Sequence, residues 1–238
     1  MEAAMHVIIT GASRGLGKAM AEKFASSGHH LYLCSRSELN LYHTLEELMT
    51  KYPESSIQAK PFDLSQEEQA KAFARWILDR GISADILINN AGQFIAGRIY
   101  DEAEGVLEKM MAINLYSAYH VTRLLLPAMI EKKNGHIFNI CSTASLHAYP
   151  NGGSYSISKY ALAGFSKNLR EELKSYGIKV TTVYPGAAYT DSWADSGVDP
   201  QRIMDAADIA AMVYAASRIS SRACVEEILL RPQLGDLS

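Results

Sequence analysis

Short apolar runs rich in β-branched residues alternate along the chain with longer stretches whose apolar positions recur at helical spacing. The runs cover residues 5–10, 30–35, 56–61, 85–89, 135–141, 178–184 and 224–229. Near-continuous apolar runs of this length suit strands buried on both faces, because strict alternation would leave one face in water. Helical segments are predicted near 16–27, 38–52, 66–80, 102–132, 154–176 and 205–220. Gly28 and Gly177 follow the first and fifth of these, where a left-handed cap is expected. Seven strands alternating with six helices predict an α/β fold, a doubly wound parallel sheet with helices on both faces. No repeat, low-complexity tract or linker interrupts the pattern, so one domain is expected over residues 1–238. Its loosest stretch is 187–205, which contains Gly197 and Pro200 and reads as a substrate lid.

Between the first strand and the first helix lies Thr10-Gly-Ala-Ser-Arg-Gly-Leu-Gly17. Glycine at 11, 15 and 17 lets the backbone turn sharply and approach a pyrophosphate, while the helix N-terminus supplies N–H donors and partial positive charge. The spacing GxxxGxG differs from the general dinucleotide fingerprint, but the strand before it and the helix after it supply the right context. Gly11, Ser13, Arg14, Gly15, Leu16 and Gly17 are therefore candidate cofactor-binding residues. The second strand ends in Cys34-Ser35-Arg36 rather than in a carboxylate that would bond a ribose 2′-hydroxyl. Arg14 and Arg36 near one ribose, with Ser35 beside them, suit a 2′-phosphate and favour NADP(H) over NAD(H). The competing reading makes both of them solvated surface arginines, with Glu38 close by. Asp63, followed by Leu64, ends the third strand, where its carboxylate can accept from an adenine amino group. Asn89-Asn90-Ala91-Gly92 ends the fourth, so Asn90, Ala91 and Gly92 fall at the carboxyl edge of the sheet, where ligands bind.

In Tyr155-Ser-Ile-Ser-Lys159 the tyrosine and lysine stand four apart on one helix face, so the ammonium can reach the phenol. A free phenol has a pKa of about 10, and a neighbouring cation favours its ionised form. Such a tyrosine can give or take a proton near neutral pH. Ser142 lies thirteen residues upstream of it, after the fifth strand. A proton donor paired with a dinucleotide loop points to hydride chemistry at a carbonyl, and the chain reads as an oxidoreductase.

These motifs, with Asn114 and Pro185-Gly186, resemble the short-chain dehydrogenase/reductase family in order and spacing from Thr10 to about Thr190. The resemblance implies a Rossmann-like sheet of order 3-2-1-4-5-6-7 and a catalytic tetrad of Asn114, Ser142, Tyr155 and Lys159. In that scheme Tyr155 protonates the carbonyl oxygen and Ser142 hydrogen-bonds the same oxygen. Lys159 lowers the tyrosine pKa and binds the nicotinamide ribose, so both Tyr155 and Lys159 also touch the cofactor. Asn114, in the long fourth helix, supports Lys159 through a water. Pro185, Gly186 and Thr190 shape the site around the nicotinamide carboxamide.

For substrate the candidates are Ser142 and Tyr155, with His147 and Tyr149 on one wall and Tyr189 and Trp193 in the lid. Aromatic rings there can stack on a planar substrate or simply pack the lid down, and His147 can serve equally as an unengaged loop residue. The tail from Val225 to Pro232 and the lid from Tyr184 to Trp193 look similar to bacterial sepiapterin reductases. The core motifs equally resemble 3-oxoacyl-[acyl-carrier-protein] reductases, although no basic patch for an acidic carrier is conspicuous. From a different class, a non-catalytic NADP(H) redox sensor is an alternative, but such a protein on this fold typically loses the tyrosine or the lysine.

Composition narrows the field further. A length of 238 residues with 48% apolar content suits one large core, and a net charge of −3 gives no basic field for nucleic acid or for a membrane surface. Cys34, Cys141 and Cys224 form no CxxC pair, and no metal-ligand spacing is evident, so no metal is expected. No apolar run approaches the roughly 18 residues of a membrane span. The opening Met1-Glu2-Ala3-Ala4 lacks the basic region of a signal peptide, so the cytoplasm is the expected compartment. In the fourth helical segment Met110, Met111, Ile113, Leu115, Tyr116 and Tyr119 exceed what one sheet-facing stripe needs, and a homotetramer or homodimer built on the fourth and fifth helices is expected.

Overall fold

The computed structural model describes residues 3–190 and 197–237. Seven parallel strands form the main sheet: β1 (His6–Thr10), β2 (His30–Ser35), β3 (Ile57–Pro61), β4 (Ile86–Asn89), β5 (Gly135–Ile140), β6 (Ile178–Pro185) and, numbered after a short pair described below, β9 (Glu227–Leu230). Their order is β3-β2-β1-β4-β5-β6-β9, as the sequence resemblance implied. Helices α1 (Gly15–Ala25), α2 (Glu38–Lys51) and α7 (Ala206–Ser217) cover one face. The other face carries α3 (Glu67–Leu78), α5 (Ser117–Lys132) and α6 (Gly153–Leu173). Successive residues of β1 divide between the two cores. Val7 and Ile9 join Phe24, Leu41 and Ile209, whereas Ile8 joins Phe73, Leu87 and Val121. A strand whose two faces are both buried cannot alternate with polar residues, which is why these strands read as apolar runs. Gly28 and Gly177 have φ of 75° and 72°, the left-handed conformation expected after their helices.

The strand order reverses between β1 and β4, and the crevice outside their carboxyl ends is where ligands bind in doubly wound sheets. The glycine loop, the 89–92 turn, Ser142 and Pro185-Gly186 all follow strands at this one edge.

Three local differences from the expected pattern have physical causes. The helix anticipated from residue 102 starts as α4 (Val106–Met111), because Gly105 takes φ of 81° and residues 102–105 belong to the preceding loop. A π turn at Ala112–Tyr116 then interrupts it before α5, so Asn114 sits in the wider turn rather than in regular α-helix. The two ends of the stretch 187–205 are tied together by a short strand pair. β7 (Ala188–Tyr189) pairs with β8 (Met204–Asp205), which joins its two ends, and Asp205 caps α7 by accepting from Ala207 N at 2.9 Å. Trp193 lies outside the described residues.

Beneath the sheet surface, side chains are linked in a buried polar chain, in which, among the described residues, Asn89 Oδ1 alone of the linked amide oxygens has no partner. Asn89 donates to Thr122 Oγ1 at 2.9 Å and to Asn139 Oδ1 at 2.8 Å. Asn139 donates to Ser166 Oγ at 3.0 Å, and Thr182 donates to the same hydroxyl at 2.6 Å. β4, β5 and β6 are thereby fixed to α5 and α6 next to the site, since a broken link would leave a buried polar group unpaired.

Two histidines are buried in neutral form. His136 Nε2 bonds the Thr181 hydroxyl at 2.7 Å, and that hydroxyl itself donates to Val225 O, so the ring supplies the proton of the pair. His136 Nδ1 has no protein partner, and burial holds the His136 pKa down to about 3. His29 accepts from Met5 N at 3.3 Å, and burial lowers its pKa as well. A histidine with a depressed folded-state pKa favours the native state above the unfolded value of about 6.5 and loses that contribution as pH falls. We predict that thermal stability holds above about pH 6.5 and declines below it, each such histidine contributing up to about 1.4 kcal/mol per pH unit. Melting His136→Gln across the same range should give a shallower decline, and an unchanged slope would exclude His136 as a cause.

Candidate active site

The glycine loop leaves β1 and is held down by the neighbouring turn. Thr10 Oγ1 accepts from Asn90 N and Ala91 N, each at 2.9 Å, and donates to Ile88 O at 3.4 Å. Asn90 Nδ2 returns to Thr10 O at 2.9 Å and Gly11 O at 3.0 Å. The space between is so tight that a Cβ on Gly17 would overlap the Gly11 carbonyl and come within 2.5 Å of Asn90 Nδ2. Gly11 and Gly15 also take φ of 66° and 54°, where a side chain is strained. The Asn90 side-chain amide is thus engaged in fixing the loop. Leu64 buries its side chain in the core on one face of the sheet, and Leu16 packs partly buried against the core on the other. Ser13 receives a bond from Thr44 Oγ1 through its carbonyl at 2.9 Å, which ties the loop to α2.

Thr10 pairs with Cys34 across the sheet, and Ala12 N donates to Cys34 O at 3.0 Å. This register brings the glycine loop, with exposed Arg14, to the strand end that carries buried Ser35 and exposed Arg36. Asp63 Oδ1 accepts from Ser65 N at 3.1 Å and Ser65 Oγ at 2.7 Å, so one carboxylate oxygen closes the local turn. On the far side a Cβ on Gly15 would stand 3.2 Å from Thr190 Cγ2, which sets Thr190 over the loop. Gly186 N donates to Leu230 O at 2.8 Å, fixing the Pro185-Gly186 turn to β9.

The second half of the site is assembled by α6. Lys159 is buried, and its Nζ donates to Ile140 O at 2.9 Å, while it lies 5.9 Å from the Tyr155 ring centroid. Ser142, extended after β5, accepts from Ala144 N at 3.1 Å and stands beside the Tyr155 phenol. Asn114 accepts from Gln93 N at 2.8 Å and donates to Gln93 O at 3.0 Å and Ser158 Oγ at 2.8 Å. Ser158 in turn donates to Tyr155 O at 2.7 Å. Gly92 closes the cluster, since a Cβ there would stand 3.1 Å from Asn114 Oδ1 and 3.4 Å from Lys159 Nζ. Asn114, Ser142, Tyr155 and Lys159 are thus brought together, with Gln93 and Ser158 as links that the motifs did not show. The only sequence sign of Ser158 is its place one residue before the lysine.

Burial dominates the titration of this group. It raises the Tyr155 phenol, which the nearby Ser142 hydroxyl pulls part of the way back, and it lowers the Lys159 ammonium. The expected downward pull of Lys159 on the phenol does not enter this balance, whose direction is set by loss of water.

An aromatic rim surrounds the tyrosine. Phe94 stands edge-on to Tyr155 at 4.9 Å and is half exposed, a contact that nothing in the sequence motifs announced. Burial and the neighbouring Tyr155 raise the Tyr149 phenol to about 12, which places it on the same wall. Tyr189 and His147 are exposed at the same edge, and His147 touches its surroundings through a backbone bond to Thr143 O. Among the described residues no group of three or more His, Cys, Asp or Glu is placed to hold a metal ion.

Comparison with known proteins agrees with this geometry. The sepiapterin reductase of Chlorobaculum tepidum is 33% identical over 240 residues, covering 97% of each chain. Dehydrogenase/reductase SDR family member 7B of Xenopus laevis is 39% identical over 189 residues. That match takes in 78% of this chain, which spans only 58% of the longer relative. A metagenomic short-chain oxidoreductase solved in complex with NADP superposes with a TM-score of 0.83 at 29% identity, over 96% of this chain and 97% of that one. The family model described as short chain dehydrogenase matches residues 5–200. A match of that extent, on a sheet of this order, means that the chain belongs to the short-chain dehydrogenase family.

Proposed function

We propose that this protein is an NADP(H)-dependent reductase that delivers hydride to the ketone or aldehyde of a small molecule. The observation that carries this reading is the joint placement of Ser142, Tyr155 and Lys159 across one crevice from the glycine loop. The residues fit a dinucleotide on their own evidence. Gly11 and Gly15 hold the left-handed turn that a side chain would strain, so the loop presents backbone to the crevice, and among the described residues the buried Lys159 ammonium has one protein carbonyl for its three donors. Gly11, Ser13, Gly15 and Gly17 would hold the pyrophosphate, with Leu16 offering its backbone. Asp63 and Leu64 would meet the adenine, and Ala91, Gly92 and the Asn90 backbone the ribose. Pro185, Gly186 and Thr190 would border the nicotinamide, which supplies the hydride when bound.

Tyr155 donates its proton to the substrate oxygen as charge develops there, and Ser142 holds that oxygen by a second hydrogen bond. Lys159 stabilises the resulting phenolate, and its free donors suit the ribose hydroxyls. Asn114 fixes the helix carrying both groups through Ser158. The substrate reading favoured is a sepiapterin reductase-like carbonyl reduction. A relative of that name aligns along the whole chain, and the rim of Phe94, Tyr149 and Tyr189 offers flat faces to a conjugated ring. We further propose a cytoplasmic homo-oligomer, dimer or tetramer, formed through exposed Tyr116 and Tyr119 near the start of α5 and Ile157 and Tyr160 of α6.

Three outcomes test this reading. NADPH consumption should be measured with sepiapterin, a diketone, an acetoacetyl thioester and a simple aldehyde. Turnover should fall at least about a thousand-fold in Tyr155→Phe while NADPH still binds. Equal activity in the variant would remove Tyr155 as the acid, and preference for the thioester would replace the pterin reading with an acyl one. Replacing Arg14 and Arg36 by alanine should weaken NADPH relative to NADH by roughly ten- to a hundred-fold per arginine, as expected for charge-assisted phosphate bonds. An unchanged ratio would return both to the solvated surface. Because burial keeps the proton on Tyr155, kcat/KM for reduction should stay level from about pH 6.5 to about 9 and fall near or above the ordinary phenol pKa of about 10. A limb near neutrality would mean that Lys159 governs the phenol after all.

A further inference from the structure

The proton donor proposed above occupies the weakest turn of its helix. Helix α6 begins at Gly153, so Tyr155 is its third residue. The first four N–H groups of a helix lack partners within it, and such ends fray unless something outside accepts from them. The residue at the cap position is Gly152, which has no side chain to offer, and the first turn carries no acidic residue.

The missing acceptor comes from another segment. Glu102, fifty-two positions away in the loop between β4 and α4, accepts from Ser154 N through Oε1 at 2.9 Å and from the Ser154 hydroxyl through Oε2. Both carboxylate oxygens are thus used on the residue directly before Tyr155. The surroundings are shaped around this side chain. A Cβ on Gly97 would stand 2.6 Å from Glu102 Cγ, and a Cβ on Gly153 would overlap Glu102 Oε1. Three further contacts hold the same loop to the same helix end. Gly97 N donates to Asn151 O at 3.1 Å, Gly97 bridges Gly152, and Arg98 Nε donates to Asn151 Oδ1 at 3.1 Å. The loop also brings Phe94 onto the Tyr155 ring.

We propose that Glu102 is a positioning residue for the reduction. It caps the Tyr155 helix from outside and sets the tyrosine against Ser142 and the Phe94 wall. It touches neither substrate nor cofactor and acts through Ser154. The inference rests on Tyr155 being the acid, and its test separates the two claims.

The test uses the full-length protein as Glu102→Gln, which keeps the shape and one acceptor, and Glu102→Ala, which removes both. Hydrogen exchange, NADPH affinity by fluorescence titration, and kcat and KM for a carbonyl that the wild type reduces are measured on each. In Glu102→Ala the amides of residues 154–156 should exchange at least about ten-fold faster while those of 162–173 are unchanged. kcat should fall on the order of ten- to a hundred-fold, with KM and NADPH affinity within about two-fold, because a small misplacement of a reacting group lowers turnover without weakening binding. Glu102→Gln should lie between. A merely structural residue would lower NADPH affinity and protection along the whole helix together with kcat, and that result would overturn the proposal. So would unchanged exchange at 154–156, or unchanged kcat. If the wild type reduces none of the carbonyls, the reductase reading fails, and the exchange data alone still decide whether Glu102 fixes the helix end.

Discussion

The seam between β1 and β4 is the constraint from which the site hangs. The Thr10 hydroxyl is held on both sides by the 88–91 backbone, and Asn90 reaches back to the Thr10 and Gly11 carbonyls. Two loops packed backbone to backbone leave no volume for a Cβ, so glycine at 11 and 17 follows from packing as much as from any ligand. The next residues of the turn carry the constraint further, because Gly92 packs directly on Asn114 and Lys159. A shift in the loop at 10–17 would therefore be felt at 155–159, although the two segments lie in opposite halves of the sequence.

The interior behind this seam is polar where an ordinary core would be greasy. The chain from Asn89 through Asn139 to Ser166 and Thr182, and the lysine bonded to Ile140 O, all sit around the end of β5. Buried polar groups are costly unless satisfied, and satisfied ones allow very few arrangements. The result is a rigid floor on which a phenol and an ammonium are both stripped of water. Burial favours the neutral form of each, so the phenol holds its proton more tightly and the ammonium less tightly than free tyrosine and lysine do.

What could be read from the sequence followed from local physics. Buried strands announce themselves as apolar runs, and a glycine loop between strand and helix has few other uses, so sheet and crevice were visible, whereas the strand order came from the family resemblance. Ser142, Tyr155 and Lys159 were legible because spacing on one helix and one strand end fixes them. Contacts between segments distant in sequence were not. Nothing near Glu102 says that it caps a helix fifty residues on, and nothing near Phe94 says that it meets Tyr155. The π turn at Asn114 was hidden too, since its residues have ordinary helical character and the widening depends on what the asparagine bonds. The charge effect of Lys159 was misjudged for a related reason. Adjacency can be counted along a helix, but burial is a property of the whole fold.

The β7–β8 pair has an implication for how such proteins change. It joins residues 188–189 to 204–205 at the rim of the crevice, with α7 continuing directly from β8. These paired anchors fix both ends of the segment between them, whatever its length. Closing a loop on fixed ends costs only about 0.6 kcal/mol for each doubling of its length. Insertions or exchanges there can alter what reaches Tyr155 while the cradle and the proton donor stay in place. Selection can thus explore new substrates in one segment without putting the catalytic apparatus at risk, and a designer could treat that segment as a cassette.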